Sequence, residues 1–572
     1  MRRRTFLKKS CGSAALFAAV PSALRSGEEK ASTLAIETVL KKLCEINDRR
    51  ITCLLAAQVD KPGERWDGGV VDGYALANAH STKAFIVALA SAYACRFSKY
   101  HLSLDLEKPM ERAIDCLLNV QHADGTIDLH STNFHSTPDT AFIVNDLGPV
   151  HRVLKRLNRT GLAASITGME QFIARTGKCL AVGGIHTPNH RWVVCSALAR
   201  VNSLFPSRQY VDRIDEWLSE GVDQDPDGQF TERSVSIYSP TCDDAFLTMG
   251  RLLNRPQLYD VVRKNLDMTL YYIQPGGEVL TDASGRQDST RSGYVNGYYF
   301  AYRYFAVRDN NPVYAAVCQL IEQRMPEKIT RFLPPLMEDP VFERPLPGPA
   351  RIPDNYFKHF AHSGLFRIRR GDIDISVIEG NPTFLVYRRR EAVMQSMRLH
   401  AAFFGSRGQF ISETTSVDGR SITLKRPVTH GYYQPFPEEK RSGHGDWDKM
   451  PRAHRRMSEI QTLKYRVTVT ERNGKVSVDI EITGTGHVPV SLEMSFRAGG
   501  ELSGVQPDEH GEDCFFLESG TGRYRAGGGV ITFGPGRTDH KWAQMRGMLP
   551  KRQGLSVYIT GFTPFNHSLE LS

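Results

Sequence analysis

The chain has 572 residues, 41% of them hydrophobic and 24% charged, and a formal net charge of +9. That length exceeds one ordinary core and the apolar share is ample for packed ones, so a multidomain globular protein is expected and a disordered one excluded. Six basic residues and no acidic one fall in residues 1–25, so the remainder carries only +3, which removes the electrostatic footprint of a nucleic-acid binder.

The chain begins Arg2-Arg3-Arg4-Thr5-Phe6-Leu7-Lys8-Lys9, followed by a short run of small and apolar residues over 11–20 and then Pro21-Ser22-Ala23. This reads as an export signal over 1–25, with an apolar run too short to span a bilayer. The Arg-Arg-x-Phe-Leu-Lys pattern resembles the twin-arginine signal, which implies export of an already folded protein, to the periplasm or beyond. Lys9-Ser10 before Cys11 does not make a lipid-attachment box. No stable membrane insertion is expected once the signal is gone.

Residues 30–330 read as helical. Apolar residues recur at three- and four-residue spacing over 75–95, 110–120, 192–204, 211–218 and 313–325. Gly-, Asp- and Pro-bearing loops separate them, at 60–73, 122–139, 183–188, 224–240 and 275–293. Helices alternating with long polar loops suggest an α/α toroid whose loops line a cleft at one end. An α-solenoid is the alternative, but no fixed-period repeat supports it. The scattered cysteines form no Cys-x-x-Cys pair, which argues against zinc-ribbon and redox motifs. Cys95, Cys116, Cys195 and Cys318 lie in apolar helical stretches and read as buried thiols. An exported protein can carry a disulfide, but no pairing is legible.

Within this region three loops are rich in chemistry. His130-Ser131-Thr132-Asn133-Phe134-His135-Ser136-Thr137-Pro138-Asp139 is dense in hydrogen-bonding groups and reads either as cleft lining for sugar hydroxyls or as a capped loop. In Gly183-Gly184-Ile185-His186-Thr187-Pro188-Asn189-His190-Arg191-Trp192, a Gly/Pro loop presents Asn189 and His190 at a helix start. There they either bind a carboxylate, helped by the helix dipole, or cap the helix. In 225–240 a long loop containing Asp227-Gly228-Gln229-Phe230-Thr231-Glu232-Arg233 ends at Tyr238. A cleft tyrosine acts as base and acid when cations such as Arg233 or Arg191 lie near; otherwise it packs at a helix start.

Residues 331–353 carry seven prolines and read as a linker. From 354 to 572 the pattern has period two. Strands 365–369 and 373–377 flank Arg370-Gly371-Asp372, and 465–469 and 476–480 are joined through Asn473-Gly474. An antiparallel β-sandwich is expected. Its segment Arg398-Leu399-His400-Ala401-Ala402 offers a histidine that either leans over the cleft or serves as an ordinary strand residue.

Taken together, the Asn189-His190 pair, the Asp227-Gly228…Glu232…Tyr238 stretch and His400 resemble the heparinase II/III-like and oligoalginate-lyase group of polysaccharide lyases. The resemblance departs at His400, where the group usually has Gly-His-x-Asp and this chain has Leu399-His400-Ala401-Ala402. It implies β-elimination on a uronic-acid-containing glycan, with an anionic polysaccharide or oligosaccharide as partner. Asn189, with Arg191, neutralises the uronate carboxylate; Tyr238 or His190 removes the C5 proton; Tyr238 or His400 protonates the leaving oxygen. Asn133, His135, Arg191, Arg233 and Arg291 are the expected substrate contacts, Arg233 and Arg291 by comparison with chondroitin AC lyases. No cofactor is required, and the spacing gives no support to a structural zinc or calcium ion. Two rival readings are a toroid hydrolase using paired carboxylates among Asp139, Asp146, Asp243 and Asp244, and a non-catalytic glycan-binding protein.

Overall fold

The computed structural model describes residues 36–441, 443 and 445–572. The expected export signal at 1–25 lies outside them. Twelve α-helices come first: α1 (Ile36–Ala56), α2 (Ala79–Ala94), α3 (Glu107–Val120), α4 (Thr137–Arg156), α5 (Ala163–Val182), α6 (Pro188–Leu204), α7 (Arg208–Ser219), α8 (Tyr238–Leu252), α9 (Leu258–Thr269), α10 (Tyr299–Arg308), α11 (Pro312–Arg324) and α12 (Leu333–Glu338). Even-numbered helices α2 to α10 pack side by side in sequence, and odd-numbered ones pack outside them, giving an α/α toroid.

The two layers differ in composition as their positions demand. Inner helix α6 is buried without interruption from Trp192 to Val201, and α10 from Tyr299 to Val307. Outer helices α3, α7 and α9 bury one stripe and expose the opposite face. A disulfide between Cys44 and Cys95 fastens α1 to the end of α2.

The proline-rich stretch is not a free linker. Its prolines open short helical turns, as in α12 and Pro340–Glu343, where a missing N–H costs nothing. The turn Pro326–Phe332 packs on α1 and α2, and α12 packs on α2 and α4, so the stretch closes the ring. Glu338 is clamped there by Arg152, Arg200 and Arg251, at 3.5, 3.2 and 3.6 Å. Those arginines come from the C-terminal halves of α4, α6 and α8, so this plug marks the far end of the toroid.

The β domain is a sandwich of an eight-stranded and a nine-stranded sheet. Pairing is antiparallel except at Leu555–Phe562, which takes strand Cys514–Phe516 and a single bridge from Thr538 in parallel. The inner faces of both sheets share one apolar core. Asn473 and Gly474 both adopt positive φ, 51° and 87°, and close the hairpin between Met457–Arg472 and Lys475–Gly484.

The sandwich docks on two toroid loops. Ser363 Oγ donates to Asp225 at 2.6 Å, and the His362 and Ser363 backbone N–H groups donate to Asp227 at 2.7 and 2.9 Å. Arg552 reaches Asp282 at 2.7 Å, while Arg388 and Arg497 grip Glu278, each at 2.5 Å.

Candidate active site

Every inner helix starts at the same end of the ring, after one of the long polar loops. His80, Asp139, Asn189 with His190, and Tyr238 all lie in first turns, of α2, α4, α6 and α8. Chain topology, not sequence proximity, gathers them on one rim.

Asp139 organises one side. It is 5% exposed and accepts hydrogen bonds from Asn133 Nδ2 at 2.9 Å and Ser136 Oγ at 2.5 Å, with His80 Nε2 at 3.3 Å. Burial alone would raise its pKa, but the bonds from His80, Ser136 and Asn133 prevail and hold it at about 2.

His190 stands between this group and the next. Its ring meets His186 edge-on, with centroids 4.6 Å apart, and Phe142 at 6.2 Å. Burial, with a smaller contribution from the neighbouring His186, lowers its pKa to about 4, so it is neutral at physiological pH. Nδ1 is buried without a partner.

Asn189 lies at the floor, fully buried. Its Nδ2 donates to Glu232 Oε2 at 2.7 Å and its backbone N–H to the same oxygen at 3.0 Å. The other Glu232 oxygen faces Arg286 Nε at 3.3 Å. The Arg286 guanidinium in turn lies over the Tyr238 ring, 5.3 Å from its centroid. Gln287 completes the set: its side-chain Nε2 donates to Tyr238 Oη at 2.7 Å. A continuous chain Asn189–Glu232–Arg286–Tyr238 results.

Asp288 holds this chain in place. It is 2% exposed and accepts from Ser234 Oγ at 3.0 Å and Ser236 Oγ at 2.9 Å, tying the 284–290 loop to the loop before α8. Between them Arg233 adopts φ +53°, a left-handed conformation rare outside glycine, which separates Glu232 from the residues that follow.

The expected residues therefore divide. Asn133, Asn189, His190 and Tyr238 come together on the rim. Arg191 does not join them, because it is paired with Glu220 at 3.1 Å and Asp223 at 3.2 Å and stacked on Trp192. His135 stacks on His122 and bonds Asp124 at 2.7 Å on an exposed hairpin. Arg233 has no ion pair among the described residues. Arg291 is exposed and lines a cavity of ≈ 1020 Å³ between the toroid and the β domain, together with Lys551 and Arg552. His400 does not lean over the cleft. It is 0% exposed in the central strand Ala392–Ala401, opposite Ser491, with both ring nitrogens unpartnered, and burial lowers its pKa to about 4.

Arg286, Gln287, Glu232 and His80 are the rim residues that motif reading did not assign. Glu232 stood inside the Asp-Gly-x-Phe-x-Glu stretch; the other three had no local signal. Among the described residues, no group of three or more His, Cys, Asp or Glu side chains is arranged to hold a metal ion, and no helix is long and apolar enough to cross a membrane.

No family model and no curated protein matches the chain. Solved structures do. Heparinase III aligns at TM-score 0.54 with 12% identity, over 95% of this chain and 85% of its own. The chondroitin AC lyase of Streptomyces coelicolor A3, solved with chondroitin sulphate, aligns at 0.50 with 13% identity, over 96% and 80%. A Paenibacillus xanthan lyase aligns at 0.54 with 10% identity, over 94% of this chain and 59% of its own. The toroid followed by a sandwich is the architecture these proteins share with this chain.

Proposed function

We propose that the protein is a polysaccharide lyase that cleaves a uronic-acid-containing glycan by β-elimination. The observation that carries this reading is the rim set His190, Tyr238 and Arg286, supported from beneath by Asn189 and Glu232. The fold shared with heparinase III, chondroitin AC lyase and xanthan lyase supports it.

Arg286 keeps its terminal guanidinium nitrogens beyond the Glu232 contact and takes the uronate carboxylate. Asn189 acts through Glu232, since Nδ2 is committed and Oδ1 is covered; the direct contact expected from the sequence is replaced by a positioning role. Neutralising the carboxylate acidifies the proton on C5. Neutral His190, or Tyr238 as its phenolate, which then carries the proton, removes it; the C5–H electron pair forms the C4=C5 double bond, and the C4–O bond breaks. Tyr238 Oη supplies the proton to the leaving oxygen. Arg286 over its ring opposes the negative charge that develops during transfer. His400 has no part in this scheme, because no glycan reaches it.

Hydrolysis is the second reading, favoured by one observation. Asp146 and Asp244 both line the interior of the ring with opposite proton affinities. Burial raises Asp244 to about 7, opposed by Arg331 and aided by Asp146, while the ion pair with Lys83 keeps the half-exposed Asp146 low. We also place the mature protein outside the cytoplasm, on the twin-arginine-like start and the Cys44–Cys95 disulfide.

The deciding experiment is an ultraviolet scan of the protein with heparan, chondroitin, hyaluronan, alginate and ulvan. Rising absorbance from an unsaturated uronate supports elimination; new saturated sugars without absorbance establish hydrolysis instead.

A further inference from the structure

The inner helices enclose a cavity of ≈ 450 Å³, a size typical of small-ligand sites. Its lining follows the helical repeat down from the rim. On α2, Lys83 and Val87 stand below His80; on α4, Phe142, Asn145, Asp146 and Pro149 stand below Asp139. On α6, Val193 and Ser196 stand below Asn189 and His190, and on α8, Thr241, Ala245 and Thr248 stand below Tyr238. Spacings of three and four place each series on one face of its helix. The reacting groups therefore ring the mouth of this bore, and from Asp139 to Pro149 it runs down about 15 Å.

The far end is shut. Pro334 and Pro335 of α12 line it, and α12 is held across the base by the Glu338 clamp to Arg152, Arg200 and Arg251. A polymer that enters at the rim cannot pass through.

The charges inside are mostly matched. Lys83 pairs with Asp146, Arg200 with Glu338 and His80 with Asp139. Not every polar group is satisfied among the described residues. Arg331 makes no ion pair within 4 Å and stacks on Phe332, near enough to Asp244 to act on its charge. Asp244 Oδ1, His80 Nε2 and Arg200 Nε are buried without a hydrogen-bond partner. Arg331 is a cation open to a carboxylate, and the others are unsatisfied polar atoms of the kind that cost free energy until a ligand meets them.

We propose that this blind bore seats the terminal acidic sugar of the glycan, with Arg331 on its carboxylate, so that the protein works from chain ends and not within the chain. The proposal rests on the lyase reading for the chemistry at the mouth, but the seat itself can be tested apart from turnover.

Two measurements decide it. The first follows product size by gel filtration on whichever glycan gives the ultraviolet signal. Chain-end action releases the smallest unsaturated product from the earliest time points while the polymer peak keeps its position; early products of intermediate length overturn the proposal. The second uses saturation-transfer NMR on the full-length Tyr238→Phe protein with D-glucuronate, and D-glucose as control, with and without Arg331→Ala. Arg331 is exposed and unpaired, so folding is preserved, and near-ultraviolet circular dichroism checks it. Glucuronate binding that weakens at least fivefold in Arg331→Ala supports the seat; binding that is absent, or unchanged by the substitution, overturns it. Arg331-dependent binding with no ultraviolet signal on any glycan removes elimination and keeps the acidic-sugar seat.

Discussion

Asn189 and Glu232, 43 positions apart, share one carboxylate oxygen, which accepts both the side-chain amide at 2.7 Å and the backbone N–H at 3.0 Å. This contact couples the start of α6 to the loop before α8 and sets where Arg286 lies. Two substitutions separate its roles. Glu232→Gln keeps an acceptor for Asn189 but releases Arg286, so the melting temperature stays near wild type while kcat falls on the order of a hundredfold, the scale of a misplaced reacting group. Glu232→Ala also strands buried donors and costs about 1.5–3 kcal/mol of stability. Equal activity of Glu232→Gln and wild type would remove the chain from the mechanism.

Tyr238→Phe deletes one oxygen and one hydrogen bond, from Gln287. Turnover should drop by about 10²–10⁴, the usual contribution of a positioned acid–base group. Unfolding should change by no more than about 1 kcal/mol. Retained turnover in the ultraviolet assay ends the assignment of Tyr238.

His400 is neutral in the folded protein down to a pKa of about 4, against 6.5 when unfolded. A depressed histidine gives stability that is present above pH 6.5 and lost as the pH falls toward 4, because only the unfolded chain binds the proton in that window. Asp244, raised to about 7, works the other way and loses its contribution as the pH rises through that value. The wild-type profile mixes both, so the difference between His400→Leu and wild type is the useful readout. It should grow in favour of the variant by about 2–3 kcal/mol between pH 6.5 and 4.5, followed by chemical denaturation. Activity at pH 7 should persist; its loss would restore a catalytic role to His400.

Glu278 holds Arg388 and Arg497 across the domain junction and is 5% exposed. Glu278→Ala leaves the buried Arg388 guanidinium uncompensated, at about 3–5 kcal/mol. Calorimetry should then resolve two transitions, one per domain. A single unshifted transition would show that the clamp does not couple them.

What was legible in the sequence was local. Period-two patterning and Asn473-Gly474 marked a hairpin whose turn residues both need positive φ. Asn189, His190 and Tyr238 stood out because each follows a Gly/Pro loop and opens a helix. What stayed hidden depends on long-range packing. Arg286 and Gln287 lie in a loop with no motif, and they reach Tyr238 only because Asp288 bonds Ser234 and Ser236 more than fifty positions earlier. His400 sits in a strand covered on both faces, where alternation cannot tell inside from outside. The prolines of 331–353 read as a spacer, since proline density alone does not distinguish a linker from a series of helix first turns.

The ties from Asp225 and Asp227 to Ser363 and His362, and from Asp282 to Arg552, have a consequence for biogenesis. The loops that present Glu232 and Arg286 are braced by turns of the β domain 135 to 270 positions later in the chain. Domains fold as units and the earlier one first, so a nascent toroid has its helices before its rim is steadied. A chain halted before the strand Leu555–Phe562 is therefore expected to fold its helices and leave this rim unsteadied.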